Sequence, residues 1–466
     1  MTHSVLLFLR GLLGGRGAVP MRCCLGLVWL LSSSWLTAQA EDEQLRQLAA
    51  DVARAEAEIH RLEAEHEIIN LQRIFGFYID KNQWTQAADL FTADGTFEWG
   101  GSGEYRGKEN IREYLQSLGA EGPQAGLIND HMQLMPVVHV APDGLSAEAR
   151  WQHFSQQARH GIDHHWGSGV FENDYRYEDG VWKISRLHLF STMRTPYDDG
   201  WGVTALPRGT PASAPAPDAP PTVAYENYPA VFTPPFHFDN PVMAPAAPVQ
   251  VVANAGSDLS TSAAVAQHLD TLEQRVARLE DVAAIERLHS AYGYYLARNQ
   301  WDHLAGIFTP DGSIEIAQRG IYRNRAGIRR NLDLYGVQNE LPGTLHNHMQ
   351  FQPVIHIDPD GQRALMRSRA LSMMGNYGGA GRWMGGIYEN VFEKRNGVWM
   401  LHMDQVINTY FADYDTGWRD LEWRPAPGIT ESNPPDAPPS LYFEMYPRLS
   451  NLPEYHYPNP VTGRRQ

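Results

Sequence analysis

Two long stretches of the chain carry apolar residues at alternating spacings of three and four: QLRQLAADVARAEAEIHRLEAEHEIINLQRIFGFYI, residues 44–79, and VAQHLDTLEQRVARLEDVAAIERLHSAYGYYLA, residues 265–297. That period predicts amphipathic helices. Their early parts, Leu45 to Leu62 and Leu269 to Leu279, have the seam of a short coiled-coil arm, expected to pack on the other arm or on a partner chain. A second short helix follows each, WTQAADLF or WDHLAGIF. The period then falls to two. GTFEWG, LMPVVHV, SAEARWQHFSQQ, WGSGVFENDYRYE and GVWKISRLHLFS read as strands, with a helix at RGKENIREYLQSL between the first two. Pro142-Asp143-Gly144 and Glu178-Asp179-Gly180 predict hairpin turns. Helix, helix, strand, helix and a four-strand meander make an α+β fold, a curved antiparallel sheet wrapped around helices.

This pattern is written twice. LINDHMQLMPVVHV at 127–140 returns as TLHNHMQFQPVIHI at 344–357. The same offset of 217 takes Asn82-Gln83-Trp84 to Asn299-Gln300-Trp301, Asp94-Gly95 to Asp311-Gly312, and Gly180-Val181-Trp182 to Gly397-Val398-Trp399. A constant offset means a gapless duplication of one domain, so two such α+β domains in tandem are expected. Each is followed by a Pro-rich tail, and PPFHFDNPV at 234–242 answers PEYHYPNPV at 453–461. Copied aromatic residues point to straps laid over the domain surface. The organisation expected is an export signal at 1–40, a helical arm at 41–65, a first domain at 66–205, a linker or strap at 206–258, a second arm at 259–281, a second domain at 282–420 and a C-terminal strap at 421–466.

Composition narrows the partners. The 466 residues carry a net charge of -16 and no basic stripe, so nucleic acid and anionic membrane are not expected. Residues 21–40 have an arginine, an apolar run and a closing Ala38-Gln39-Ala40, the pattern of a cleaved signal peptide, with Met1 or Met21 as the start. A periplasmic or secreted protein is expected, free of the membrane after cleavage. Both cysteines, Cys23 and Cys24, fall inside this segment, so the mature chain has neither disulfide nor thiol nucleophile. The partners expected are a small-molecule ligand and the sister domain, with a homo-oligomer left open.

FGFYIDKNQW (75–84), the His-Met strand and the closing D-G-V-W-K-I together resemble the SnoaL-like families of the nuclear transport factor two-like superfamily, among them the bile-acid 7α-dehydratases and scytalone dehydratases. The resemblance covers roughly 66–201 and 283–418. It implies that the two copies are cone-shaped α+β barrels in tandem, each with its pocket inside the cone. It also implies that Asp80, four before Trp84, and His131 form an acid/base pair facing that interior. Two positions depart from the dehydratase pattern. Phe75 stands where a pocket tyrosine is expected, leaving Tyr78 as the substitute. Ser155 stands where a later strand carries an Asp, with His153 two residues away on the same face. The second copy has His348, Tyr292 and Tyr295 but Ala297 at the position of Asp80, so it is expected to bind rather than catalyse.

Loss of water beta to a carbonyl needs a base for the alpha proton and an acid for the departing hydroxyl, and histidine titrates where it can serve as either. The expected roles are His131 as base or shuttle, Asp80 as its partner and Tyr78 as hydrogen-bond donor. His348, Tyr292, Tyr295, His153, Ser155 and Trp151 are binding candidates. No cofactor is required. No metal is expected either: His346 and His348 alternate on one strand face without an evident third ligand. The leading expectation is a cofactor-independent dehydratase or isomerase acting on a polycyclic or aromatic hydroxylated carbonyl compound. The rival is a non-catalytic binding or assembly protein using the same cones.

Overall fold

The computed structural model describes residues 29–208, 213–240, 242, 259–449 and 451–465, with side chains from 42 onward. The export-signal segment therefore lies largely outside the described residues. The rest divides into two compact units. The smaller comprises residues up to His66, Val140–Gly144 and 240–281. In it Leu48, Val52, Ala55 and Ile59 of helix α1 (Trp29–Asp80) and Val265, Leu269, Leu272 and Val276 of helix α4 (Ser262–Leu296) share one buried cluster. Both faces are spaced four, three, four, the knobs-into-holes period. Glu56 meets His268 at 3.1 Å and Glu63 meets Arg275 at 2.6 Å, so the arms run in the same direction. Of the two packings left open by the sequence, the arms adopt the one within the chain.

The larger unit holds both domains. In the first, α2 (Trp84–Asp89), β1 (Phe91–Trp99), β2 (Tyr105–Arg106) and α3 (Lys108–Ser117) precede β3 (Leu127–Val140), β4 (Ser146–Arg159), β5 (Asp163–Glu178) and β6 (Val181–Pro196). The sheet order is β2-β1-β6-β5-β4-β3. The second domain repeats it with α5 (Trp301–Gly306), β7 (Phe308–Ile316), β8 (Tyr322–Arg323), α6 (Asn324–Leu332), β9 (Thr344–Ile357), β10 (Arg363–Asn376), β11 (Gly381–Arg395) and β12 (Val398–Asp413). Four long strands form the expected meander. One pair in each sheet is parallel, β1 with β6 and β7 with β12, because the last meander strand returns beside the first strand in its own direction.

Local chemistry shapes the sheets. Asp179 and Gly180, and Asn396 and Gly397, all have positive φ, the two-residue turn that matches strand twist. Met135 (φ 51°) and Gln352 (φ 59°) precede Pro136 and Pro353, and at the second site the β9–β10 register shifts, a bulge that bends the strand. Large aromatics fill the cones: Phe75, Phe97, Tyr114 and Phe171 in the first, Tyr292, Trp301, Tyr322 and Tyr388 in the second. The described parts of the two tails are extended and docked. Tyr105 donates to the Pro215 carbonyl at 2.9 Å and Tyr322 to that of Asn433 at 2.6 Å. His237 bridges His139 (2.9 Å) and Glu172 (3.0 Å), as His456 bridges His356 (3.0 Å) and Glu389 (3.2 Å). The copied Phe-His-Phe and Tyr-His-Tyr strings are these anchors.

The two domains pair through a dry, charged contact. Arg369 on β10 forms ion pairs with Asp80, at the end of α1, and with Asp130 on β3 (3.0 Å), while Lys81 lies 3.7 Å from Asp130. All four side chains are buried. Burial lowers the Arg369 pKa to about 10 and raises that of Asp130. Around them the Gln133 amide donates to Gln352 (3.1 Å), Tyr410 donates to Gln156 (2.8 Å), and Trp166 meets Trp418 edge-on at 4.8 Å. The cluster is one-sided. The duplication places Gln152, Ala297 and Asn347 at the positions of Arg369, Asp80 and Asp130. Breaking a buried ion cluster costs more than exchanging it whole. Arg369→Met is therefore expected to lower unfolding free energy in urea by about 3–5 kcal/mol, and adding Asp80→Asn with Asp130→Asn to recover most of it. An unchanged unfolding midpoint in the single variant would show that the cluster contributes nothing.

Candidate active site

A cavity of about 470 Å³ lies in the first domain. Its wall includes Trp99 from β1, Asn129 and His131 from β3, and His153, Ser155 and Gln157 from β4. Strand alternation puts 129 and 131, and 153, 155 and 157, on one face each, which is why these polar groups converge.

His131 Nδ1 lies 2.9 Å from His153 Nε2, and His131 Nε2 lies 3.0 Å from Asn129 Oδ1. Asn129 Nδ2 donates to the Ile79 carbonyl at 3.1 Å, so its oxygen is the atom turned to the imidazole. An amide oxygen only accepts, so His131 carries its proton on Nε2 and presents a lone pair at Nδ1. His153 then donates from Nε2, and its own Nδ1 is an unprotonated lone pair. That atom is buried and has no hydrogen-bond partner among the described residues. Trp99 packs edge-on against both rings, at 5.3 and 5.9 Å, and Phe171 against His153 at 5.4 Å. Burial holds His131 down to about 4; burial, then the neighbouring His131, holds His153 well below the usual imidazole range. Both are neutral at pH 7.

The expected Asp80–His131 pair takes a different form. One Asp80 oxygen accepts the backbone N–H of His131 at 2.6 Å and the other meets Arg369. The carboxylate thus holds the strand and the sister domain, while His153 and Asn129 hold the ring. Tyr78 also lies elsewhere: it is buried edge-on against Tyr455 of the C-terminal strap, 5.2 Å away, and does not line the cavity. Trp151 is core, donating to the Tyr175 hydroxyl at 3.2 Å. Of the sequence candidates, His131, His153 and Ser155 meet at the cavity wall.

The second domain is built differently. His348 Nδ1 pairs with Ser372 Oγ at 2.9 Å, and the position of His153 is Ala370. Burial pushes His348 down to about 4. Tyr295 stacks on His303 at 5.3 Å. Tyr292 donates to Asp404 at 2.8 Å, in a fully buried group with Tyr388. Burial pushes the Asp404 carboxyl up to about 7. Asp404 is a residue the sequence reading missed. Its signal is a set of linked differences at the 217 offset: Phe75, Phe171 and Leu187 stand where the second copy has Tyr292, Tyr388 and Asp404, so three apolar positions are replaced together by polar ones. Among the described residues no group of three or more His, Cys, Asp or Glu side chains is placed to share a metal ion.

Asp404 yields a pH prediction. A carboxyl whose folded pKa lies above its unfolded value, about 3.9, keeps a proton that the unfolded chain has released. Its stabilisation is full below that value and is lost as pH rises to about 7. The stability of the wild type minus that of Asp404→Asn should therefore fall with pH between 4 and 7, by up to about 1.4 kcal/mol per pH unit. A flat difference across urea unfolding curves in that range would mean that Asp404 ionises freely.

Comparison with known proteins accords with this architecture. The model for the SnoaL-like domain matches residues 60–188 and 277–403. No curated protein matches the chain. Among solved structures, a candidate scytalone dehydratase from Novosphingobium aromaticivorans is 23% identical over 33% of this chain and 95% of its own, with a TM-score of 0.27. The hexachlorocyclohexane dehydrochlorinase LinA-type3 from Novosphingobium barchaimii is 21% identical over 32% and 98%, with a TM-score of 0.27. ActVI-ORFA from Streptomyces coelicolor is 17% identical over 27% and 96%, with a TM-score of 0.25. With its domain model matched twice, over more than half of the residues, this chain belongs to the SnoaL-like domain family and carries that domain in tandem.

Proposed function

We propose that the first domain is a cofactor-independent dehydratase or isomerase working by proton transfer on a hydroxylated carbonyl compound. The observation that carries this reading is the pair of neutral imidazoles on the cavity wall, His131 and His153, hydrogen-bonded to each other at 2.9 Å and backed by Asn129. A neutral imidazole is the form that accepts a proton. In the proposed step the hydrogen-bonded His153–His131 pair takes the proton alpha to the carbonyl and holds it as an imidazolium. The C–H electrons form the C=C bond as the C–O bond at the beta carbon breaks. The departing hydroxide takes a proton back from the imidazolium pair and leaves as water. Return of the proton to a different carbon gives the isomerase outcome instead. The imidazolium is a strong acid in so dry a site, so it gives the proton up readily. The Ser155 hydroxyl, on the same wall, supplies a donor for the substrate carbonyl. Asp80 enters as a positioning residue, through the His131 backbone. The signal-like pattern of residues 21–40 supports a periplasmic or secreted setting for this activity.

The engagement of Asp80 with Arg369 favours a second reading, in which the same cavity binds a small molecule without transforming it. Turnover separates the two. Purified protein in heavy water is given a panel of beta-hydroxy ketones, steroid and polyphenol types included, and mass spectrometry follows water loss and deuterium uptake. His131→Ala and His153→Ala are each expected to reduce turnover about 10²–10⁴-fold. Asp80→Asn should lower the unfolding midpoint and perturb turnover less than either histidine change. Absence of turnover, or turnover indifferent to both histidines, would leave the binding reading.

A further inference from the structure

The cavity carries charge that the rest of the protein does not. The chain has 54 acidic against 38 basic residues, yet Arg159, Arg194 and Arg208 all line this one cavity. Asp163, also on the wall, forms a two-pronged pair with Arg159 and acts on Arg194 only at longer range. Arg194 and Arg208 form no ion pair among the described residues. Arg194 has one side-chain contact, Nη2 to His165 Nδ1 at 3.4 Å, and burial pushes His165 down to about 4, so that partner brings no charge. Arg208 stacks on Tyr225 at 3.8 Å and donates to the Tyr225 carbonyl, while its Nη1 is buried without a hydrogen-bond partner. Glu226 lines an adjoining hollow that Arg208 shares and makes no ion pair with it.

A half-buried guanidinium without an ion pair has given up water and kept only neutral partners at hydrogen-bond distance. Two of them on one cavity wall leave a net positive field in a cavity large enough for a drug-sized molecule. At the corresponding position of the second domain the duplication has Phe411 for Arg194, and in the tail, where the offset grows from 217 to 219, Pro425, Ala426 and Pro427 answer Arg208. The unpaired arginines thus occur in the copy that has the His131–His153 pair.

We infer that the first-domain cavity takes an anionic small molecule, an aromatic carboxylate in the simplest case, with Arg194 and Arg208 as its counter-ions. This rests on the reading of that cavity as the functional site and adds the substrate's charge. The acid group lies against the two guanidiniums and the apolar body against Trp99 and Leu189. Arginine suits the task because its planar donors match a carboxylate with two parallel hydrogen bonds.

The test uses two probes with one skeleton, 2-naphthylacetate and 2-(2-naphthyl)ethanol, titrated into the full protein at low salt and followed by quenching of tryptophan fluorescence. The acid should bind about tenfold or more tightly than the alcohol. Arg194→Met and Arg208→Met should each reduce acid affinity several-fold and leave alcohol affinity unchanged, which also reports that the fold is intact. The double variant should lose the preference, and Arg194→Lys should retain part of it. Equal affinity for both probes in the wild type, a preference that survives the double variant, or no binding of either probe would overturn the inference. His131→Ala, inactive in the turnover assay under the acid–base reading, should keep the preference. Failure of that reading and failure of this inference therefore show in separate measurements.

Discussion

Arg369 is a full charge with almost no water around it, and the pairing of the two domains is organised by that constraint. Only carboxylates can hold a guanidinium in such a place, and the first domain brings two, Asp80 and Asp130, to meet it. Asp80 then does two things with its two oxygens. One receives Arg369 and the other receives the backbone N–H of His131. A single side chain therefore ties the sister domain to the strand that presents the imidazole. The cavity wall is thereby linked to the domain pairing as well as to its own sheet.

Duplication created this situation and then broke its symmetry. Two identical cones would offer each other the same residues and the same charge. Here the guanidinium stands on one copy and the carboxylates on the other, with Gln152, Ala297 and Asn347 at the reciprocal positions. The interiors diverged too. The first cone has Phe75, Phe171 and Leu187 in its interior and two neutral histidines at the cavity wall. The second buries a tyrosine–carboxyl pair with an elevated pKa. Each polar group sits where its neighbours changed with it, as a low-dielectric interior requires.

The tails stayed alike while the interiors diverged. In each copy a strap histidine bridges a strand histidine and a glutamate, and a strand arginine pairs with that same glutamate. The second strap also packs Tyr455 on Tyr78 and donates from the Tyr455 hydroxyl to the Phe77 carbonyl, at the base of the first domain's long helix. This explains why Tyr78 serves the packing and leaves the cavity to Trp99 and the histidines.

Periodicity, turn chemistry and the 217-residue offset were sufficient for the class of fold, the tandem copies and the coiled-coil seam, because each rests on residues near in sequence or on exact repetition. The His-bearing strand was legible for the same reason: alternation alone places His131 on one face and Asp130 on the other. The partner of each face was not legible. Asp80 four residues before Trp84 looks the same whether its carboxylate meets an imidazole or a guanidinium 289 positions further along. The single parallel pair in each sheet, the bond between His131 and His153, the buried Tyr292–Asp404 pair and the unpaired Arg194 and Arg208 are likewise products of assembly. Local sequence determines which way a side chain points from its own backbone. What it finds there depends on how distant segments pack, and in a dry interior that encounter decides protonation, pairing and chemistry.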